Sequence, residues 1–337
     1  MRSVRVRARD PVRRGGARGA AGARGHPVRS GDVTVRLTVD SAAWRRHVRA
    51  VVDATPGLVP VVKGNGYGFG RPQLARIAAE LADTIAVGTV HELAGLPEEP
   101  TPVVLTPALE PPEDTRPVLT VGSREHIGAL SAWPGRVIVK LRSSMRRFGN
   151  GIDLVAEARA IGLGIDGVAI HPPLAGDDRD HRAEIESWLE AIDPALEVWV
   201  SHLSPAEYAL LPDTHRYRLR LGTALWHGDK EALRLEASVL HTAPIAAGEC
   251  AGYRLAPADR DGTLVMIGAG TANGVQPLPD GRSPFHHEQR RLELMEPPHM
   301  HTSMAFVPVG EPCPTTGTWV DVQRPLTATA VDETRWI

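Results

Sequence analysis

Cysteine is scarce in this sequence, with Cys250 and Cys313 the only two among 337 residues. Two thiols are too few for a disulfide framework and suit a reducing cytosol. Long hydrophobic runs are missing as well. No uninterrupted apolar stretch approaches the ~20 residues that a membrane helix needs. Nor is charge of one sign in excess: the formal net charge of -2 gives no support to nucleic acid or acidic membranes as partners. What remains is an ordinary globular composition, 42% apolar and 23% charged, in a chain with room for a barrel-sized domain and a smaller one.

Residues 1–31 have little apolar periodicity and one acid, Asp10, in a background of Arg, Gly and Ala. Such a segment cannot bury enough surface to offset its ordering entropy, so disorder is expected there. A basic arm for an anionic partner, a transit-type leader and an over-extended start of the coding sequence are the alternatives. The apolar core of a secretory signal is absent, so export is not expected.

From residue 33 a rhythm begins. Strands are expected at 33–37, 58–62, 84–88, 102–105, 118–121, 137–141, 165–170, 196–200 and 217–221, with helices between them, the first over 41–52 with Ser41 near its cap. This alternation predicts a parallel α/β fold, and about eight such units fit a (β/α)8 TIM-like barrel over 32–234. A doubly wound sheet is the competitor. Against it, the one glycine-rich turn lacks Gly-x-Gly-x-x-Gly spacing, and chemically useful residues recur at many strand ends. After about residue 235, short β-prone runs between Pro- and Gly-rich turns predict a smaller, mainly β C-terminal domain over 235–337.

The glycine-rich turn is Val61-Val62-Lys63-Gly64-Asn65-Gly66-Tyr67-Gly68-Phe69-Gly70. It places one lysine where a strand ends and a loop opens. A lysine amine there can form a Schiff base with a carbonyl, while glycine amides and the Tyr67 hydroxyl can approach an anion. The plain reading of a bare lysine before glycines is a strand-end side chain reaching for water. The whole decapeptide, however, closely resembles the cofactor-lysine motif of alanine racemases, Val-Val-Lys-x-Asn-x-Tyr-Gly-x-Gly. That resemblance implies a pyridoxal 5'-phosphate (PLP) enzyme in which Lys63 carries the cofactor as an internal aldimine and Tyr67 helps to bind its phosphate. It also implies a barrel followed by a β domain, and a homodimer whose active sites are shared between chains.

Further matches follow along the chain. The segment 139–149 is similar to the family's Lys-x-Asp-Thr-Gly-Met-x-Arg-x-Gly, which makes Arg147 the arginine near the cofactor's phenolic oxygen and the substrate carboxylate. Lys140 falls where many members carry a carbamylated lysine, although Arg142 and Ser144 replace the family's Asp and Gly. His171 resembles the histidine that packs on the cofactor ring, and Ser204 sits where a serine donates to phosphate. The run 217–226 is similar to Val-Arg-Pro-Gly-Ile-Ala-Leu-Tyr. It sets Arg220 against the pyridine nitrogen, with the Gly222 and Thr223 amides on the phosphate. Arginine does not readily give up a proton, so the ring stays neutral and simple proton exchange at Cα is favoured over transamination.

The second domain departs from the family. Where members have Ile-Gly-Tyr-Ala-Asp-Gly, with a tyrosine that serves the face opposite lysine, this chain has Ile267-Gly268-Ala269-Gly270. Met300 stands at the family's methionine near the substrate carboxylate. His301, with His299 beside it, is the candidate replacement base. His286-His287 with His299 and His301 has no standard metal spacing, so no metal is expected. The reading is a cytoplasmic isomerase interconverting L- and D-amino acids, with Lys63, His301 and Arg147 catalytic and a small amino acid as substrate. The alternative is a PLP-binding racemase relative with weak or no racemase activity, acting as a binding or regulatory protein or running another PLP reaction.

Overall fold

Nine strands precede residue 222 in the computed structural model, which describes residues 33–337; the expectation for residues 1–31 lies outside the described residues. The first, β1 (Val35–Val39), stands apart. The other eight are β2 (Leu58–Pro60), β3 (Thr84–Val87), β4 (Thr101–Val104), β5 (Val118–Val121), β6 (Arg136–Lys140), β7 (Gly164–Ala169), β8 (Glu197–Ser201) and β9 (Tyr217–Leu221). They pair in parallel in the order β2-β9-β8-β7-β6-β5-β4-β3, and a bridge between Val61 and Ala86 brings the two edges together. The result is the expected barrel. Strands such as β3 and β5 are buried at every residue, as a parallel sheet covered by helices requires.

β1 belongs to the other sheet. Its residues alternate between buried and half-buried, and it pairs antiparallel with β10 (Leu233–Ile245) and parallel with Glu333–Trp336. Period-2 alternation suits a sheet with one buried face, so Val-Arg-Leu-Thr-Val differs from barrel strands such as β3 and β5, which are buried throughout. The helix that follows, Ser41–Asp53, is capped by Asp40 rather than Ser41. The Asp40 carboxylate accepts from the amides of Ala42 and Ala43.

The second sheet has nine strands and is mainly antiparallel, with β10 between Trp319–Val322 and Gly262–Ile267, and Ser303–Pro308 beyond. Its core includes Val35, Ala237, Val265, Phe285 and Ala305. The chain then returns to the barrel. Trp336 packs on Trp44 and Phe69, with ring centroids 5.2 and 5.9 Å apart, and a turn at Leu326–Ala328 reaches the Lys63 loop. There the Asn65 side-chain amide donates to the carbonyls of Leu326 (2.8 Å) and Thr329 (2.9 Å). Among the described residues, no helix is long and apolar enough to cross a membrane.

Asn65 therefore ties the loop after β2 to the C-terminal turn. Asn65→Ala strands two carbonyls and should lower stability by about 1–3 kcal/mol, read as a lower denaturant midpoint at unchanged slope. An unchanged midpoint would remove this tie from the account.

Candidate active site

Lys63 is placed by the closure of the barrel. The Val61 amide donates to the Leu221 carbonyl and the Val62 amide to the Ala86 carbonyl, both at 2.8 Å, so the backbone just before the lysine is fixed between β9 and β3. The amine opens into a cavity of about 980 Å³ at the carboxyl ends of the strands. Tyr67, His171, Ser204, Arg220, Gly222 and Thr223 line the same cavity. A smaller cavity of about 350 Å³ at the opposite mouth is lined by charges that pair with one another, Arg218 with Asp83 (2.9 Å) and Arg136 with Asp166 (2.5 Å).

Positive charge outweighs the nearby acid Glu92 around Lys63. Its pKa is lowered by desolvation first, then by Arg147 and Arg220, against a smaller opposing effect of Glu92. Lys140, only 4% exposed, is pulled down to about 8 by burial and then by Arg220, Arg147 and Lys63. Arg220 donates to the carbonyls of Ile170 (3.0 Å) and Val200 (3.3 Å) and to the Ser201 hydroxyl (3.4 Å), all neutral groups. Among the described residues no carboxylate forms an ion pair with it. Burial brings its pKa to about 10, which still leaves it protonated near neutral pH. Such a pocket favours an anionic, planar guest.

The remaining groups are held in definite states. Tyr67 lies so close to Gly222 that a Cβ there would come within 2.0 Å of its hydroxyl, so only glycine admits the ring. Burial pushes the Tyr67 phenol up to about 12 and keeps it protonated. The His171 Nδ1 is hydrogen-bonded to the Ser201 hydroxyl, and burial together with Arg220 takes the imidazole down to about 2. Ser204 caps the short helix Pro205–Tyr208, and its own amide donates to Asp178 at 3.1 Å. Arg147 is exposed beside the cavity rather than in its wall, near enough to act on Lys63 and Lys140.

Met300 and His301 are elsewhere. Both are exposed, and neither lines the Lys63 cavity of their own chain. They stand beside the segment that carries Ala269. The Thr271 amide donates to the His299 carbonyl and the Ala272 amide to the Met300 carbonyl, both at 2.8 Å. Ala269 itself is fully buried. His286 lies in the strand Phe285–His287, and no three potential metal-ligating side chains gather among the described residues. Sequence reasoning missed Glu92, whose carboxylate accepts from the amides of Gly64 (3.1 Å) and Gly88 (2.6 Å), and Asp178 beside Ser204. Nothing in their local sequence marks them, because each acts across 26 or more residues of chain or on a bare backbone amide.

An eight-stranded parallel barrel with a strand-end lysine over its mouth, followed by a mainly antiparallel sheet, defines the fold-type III class of PLP proteins. A family model described as the alanine racemase N-terminal domain matches residues 39–230. The chain belongs to the alanine racemase family. The alanine racemase of Stutzerimonas stutzeri is 28% identical over 288 residues, covering 75% of this chain and 80% of that one. That of Corynebacterium efficiens is 29% identical over 286 residues, 72% and 76% of the two chains. Among solved structures, alanine racemase from Bartonella henselae with covalently bound pyridoxal phosphate superposes with a TM-score of 0.69 at 19% identity, over 90% of this chain and 99% of that one. The E. faecalis enzyme gives 0.67 at 21%, over 92% of each.

The side chains present fit PLP. The glycine that admits Tyr67, the amide of Thr223 and the unpaired guanidinium of Arg220 give an anion and a ring nitrogen suitable partners around an amine of lowered pKa.

His171 makes a pH prediction. Its folded pKa of about 2 lies below the ordinary 6.5, so below pH 6.5 the unfolded chain binds the extra proton. Stability is therefore full above pH 6.5 and falls as pH drops toward 2, by at most about 1.4 kcal/mol per pH unit. His171→Asn should flatten the pH dependence of stability between about 6 and 4 in chemical denaturation; an unchanged slope would contradict the buried neutral imidazole.

Proposed function

We propose that the protein is a PLP-dependent amino-acid racemase of the alanine racemase type, working in the cytoplasm as a homodimer with shared active sites. The observation that carries this is the Lys63 amine, of lowered pKa, open to a cavity that also holds Tyr67, Arg220 and Gly222. PLP, when bound, supplies an electron-accepting ring that makes the substrate Cα–H acidic.

The chain's own residues then divide the work. Lys63 Nζ would hold the cofactor through its aldehyde and carry a proton on one face of the substrate. Tyr67, Ser204 and the amides of Gly222 and Thr223 bind the phosphate, Ser204 doing so beside Asp178. His171, kept neutral, packs on the ring. Arg220 would offer the ring nitrogen a donor that keeps its own proton, which would favour return of a proton to Cα over loss of the amine. Arg147 would meet the substrate carboxylate, and Met300 could join it only from a second copy of the chain. A carbamate on Lys140 would give the surrounding cations a local anion, and an amine pKa of about 8 leaves part of it neutral for that purpose.

A second reading has one observation in its favour. Ala269 occupies the position of the family's second base, and its methyl carries no proton. On that reading the chain binds PLP and works as a binding or regulatory protein, or runs another PLP reaction.

Exchange of the Cα proton of L- and D-alanine in D2O separates the two. The racemase reading expects both enantiomers to exchange and interconvert, and Lys63→Ala to abolish the process. No exchange by the PLP-loaded wild type across a panel of amino acids would leave the binding reading.

A further inference from the structure

Arg147 owes its place to a loop rather than to a partner. Among the described residues its guanidinium forms no side-chain hydrogen bond and no ion pair, and its charge acts on Lys63 and Lys140. The loop that carries it runs over residues 141–150 and closes on itself at the neck. The Arg142 amide donates to the Asn150 carbonyl (2.9 Å), and the Asn150 amide to the Lys140 carbonyl (3.2 Å). Gly149, at φ +104°, permits this closure, since a Cβ there would stand 2.4 Å from the Leu141 carbonyl oxygen. Past the neck the tip turns through a bond from the Arg146 amide to the Ser143 carbonyl (2.9 Å), with Arg146 in the left-handed region at φ +51°.

Two contacts pin the tip to the rest of the barrel. The Ser143 hydroxyl donates to the His171 carbonyl at 2.7 Å. Ser144 gives Glu184 both of its donors, the amide to Oε1 at 2.5 Å and the hydroxyl to Oε2 at 2.8 Å. Glu184 lies on the helix Asp178–Leu189, 40 residues further along the chain. The same helix reaches other loops of the cavity mouth at three-residue steps. Asp178 accepts from the Ser204 amide (3.1 Å), and His181 sets its ring nitrogens against the carbonyls of Ala175 (3.0 Å) and His202 (2.7 Å). Residues three apart are neighbours on a helix surface, so one stripe gathers the loops that follow β6, β7 and β8. The cation beside this stripe is engaged elsewhere, Arg182 pairing with Glu186 and Glu207, both at 2.7 Å. Among the described residues, the Glu184 carboxylate has Ser144 as its one side-chain and backbone donor.

We propose that Glu184 is a positioning residue for substrate binding: through the amide and hydroxyl of Ser144 it fixes the loop that carries Arg147, and so sets where that guanidinium meets the substrate carboxylate. The proposal rests on the racemase reading above, in which Arg147 takes that carboxylate. A carboxylate suits the task because its two oxygens hold an N–H and an O–H of one residue at once. A guanidinium already held in place can take its guest without first ordering the loop beneath it. The substrate carboxylate is common to both enantiomers, so the effect falls equally on L and D.

The test compares wild type, Glu184→Ala, Glu184→Gln and Ser144→Ala. In the protein without cofactor, hydrogen exchange followed by peptide mass should show segment 142–149 exchanging faster in Glu184→Ala, with the barrel-strand peptides unchanged. Loaded with PLP, Glu184→Ala should keep the wild-type visible spectrum and kcat, while KM for L- and D-alanine rises by one common factor of about 10 to 100. Glu184→Gln, which keeps an acceptor for the Ser144 amide, should restore most of the affinity. Ser144→Ala, which loses the hydroxyl alone, should raise KM by less, and adding it to Glu184→Ala should change nothing further. A wild-type KM in Glu184→Ala, whether or not segment 142–149 exchanges faster, would overturn the proposal and leave the racemase reading intact. So would effects of the two substitutions that simply multiply. A wild type that turns over no amino acid of a panel would overturn both.

Discussion

The pair of backbone hydrogen bonds that close the barrel, Val61 to Leu221 and Val62 to Ala86, is the constraint on which the rest depends. Without them β2 and β3 would be open edges, and the next residue, Lys63, would be a solvated lysine on a loop. With them the amine has a fixed origin at the carboxyl mouth, facing Arg220 from β9. Burial and two guanidinium groups then lower its pKa, which makes the neutral amine easier to reach.

Charge is the second theme. Most buried cations in proteins are paired, yet Arg220 meets only carbonyls and a hydroxyl. An arginine kept this way has donors to spare for a neutral acceptor and no carboxylate to hold it elsewhere. The neighbouring imidazole of His171 is kept uncharged by the same field, and Tyr67 keeps its proton. The mouth of the barrel is a cationic, preorganised enclosure, complementary to a phosphate, a phenolic oxygen and a carboxylate at once.

Much of this was legible in the sequence because the fold stations its chemistry at strand ends. Lys63, His171, Arg220, Gly222 and Thr223 all follow or end a barrel strand. β1 was harder to place. It precedes a helix like a barrel strand, and only its alternation betrays a partner more than 190 residues away, where Val39 pairs with Leu233. The Glu92 clamp and the Asp178 contact were not legible at all. They join residues 28 and 26 positions apart through contacts to backbone amides, which accept any carboxylate that the fold brings within reach and leave no pattern in the side chains. His301 is the candidate base in the sequence, with His299 beside it; in three dimensions His299 Nε2 meets the Glu296 carboxylate.

The central claim is a covalent attachment between Lys63 and the cofactor aldehyde, and reduction by borohydride tests it most directly. Protein incubated with PLP, reduced and digested should yield one peptide, that containing Lys63, carrying the added pyridoxyl mass, with the visible absorbance lost on reduction. An unmodified Lys63 peptide, or the label spread over surface lysines, would contradict the account at its root.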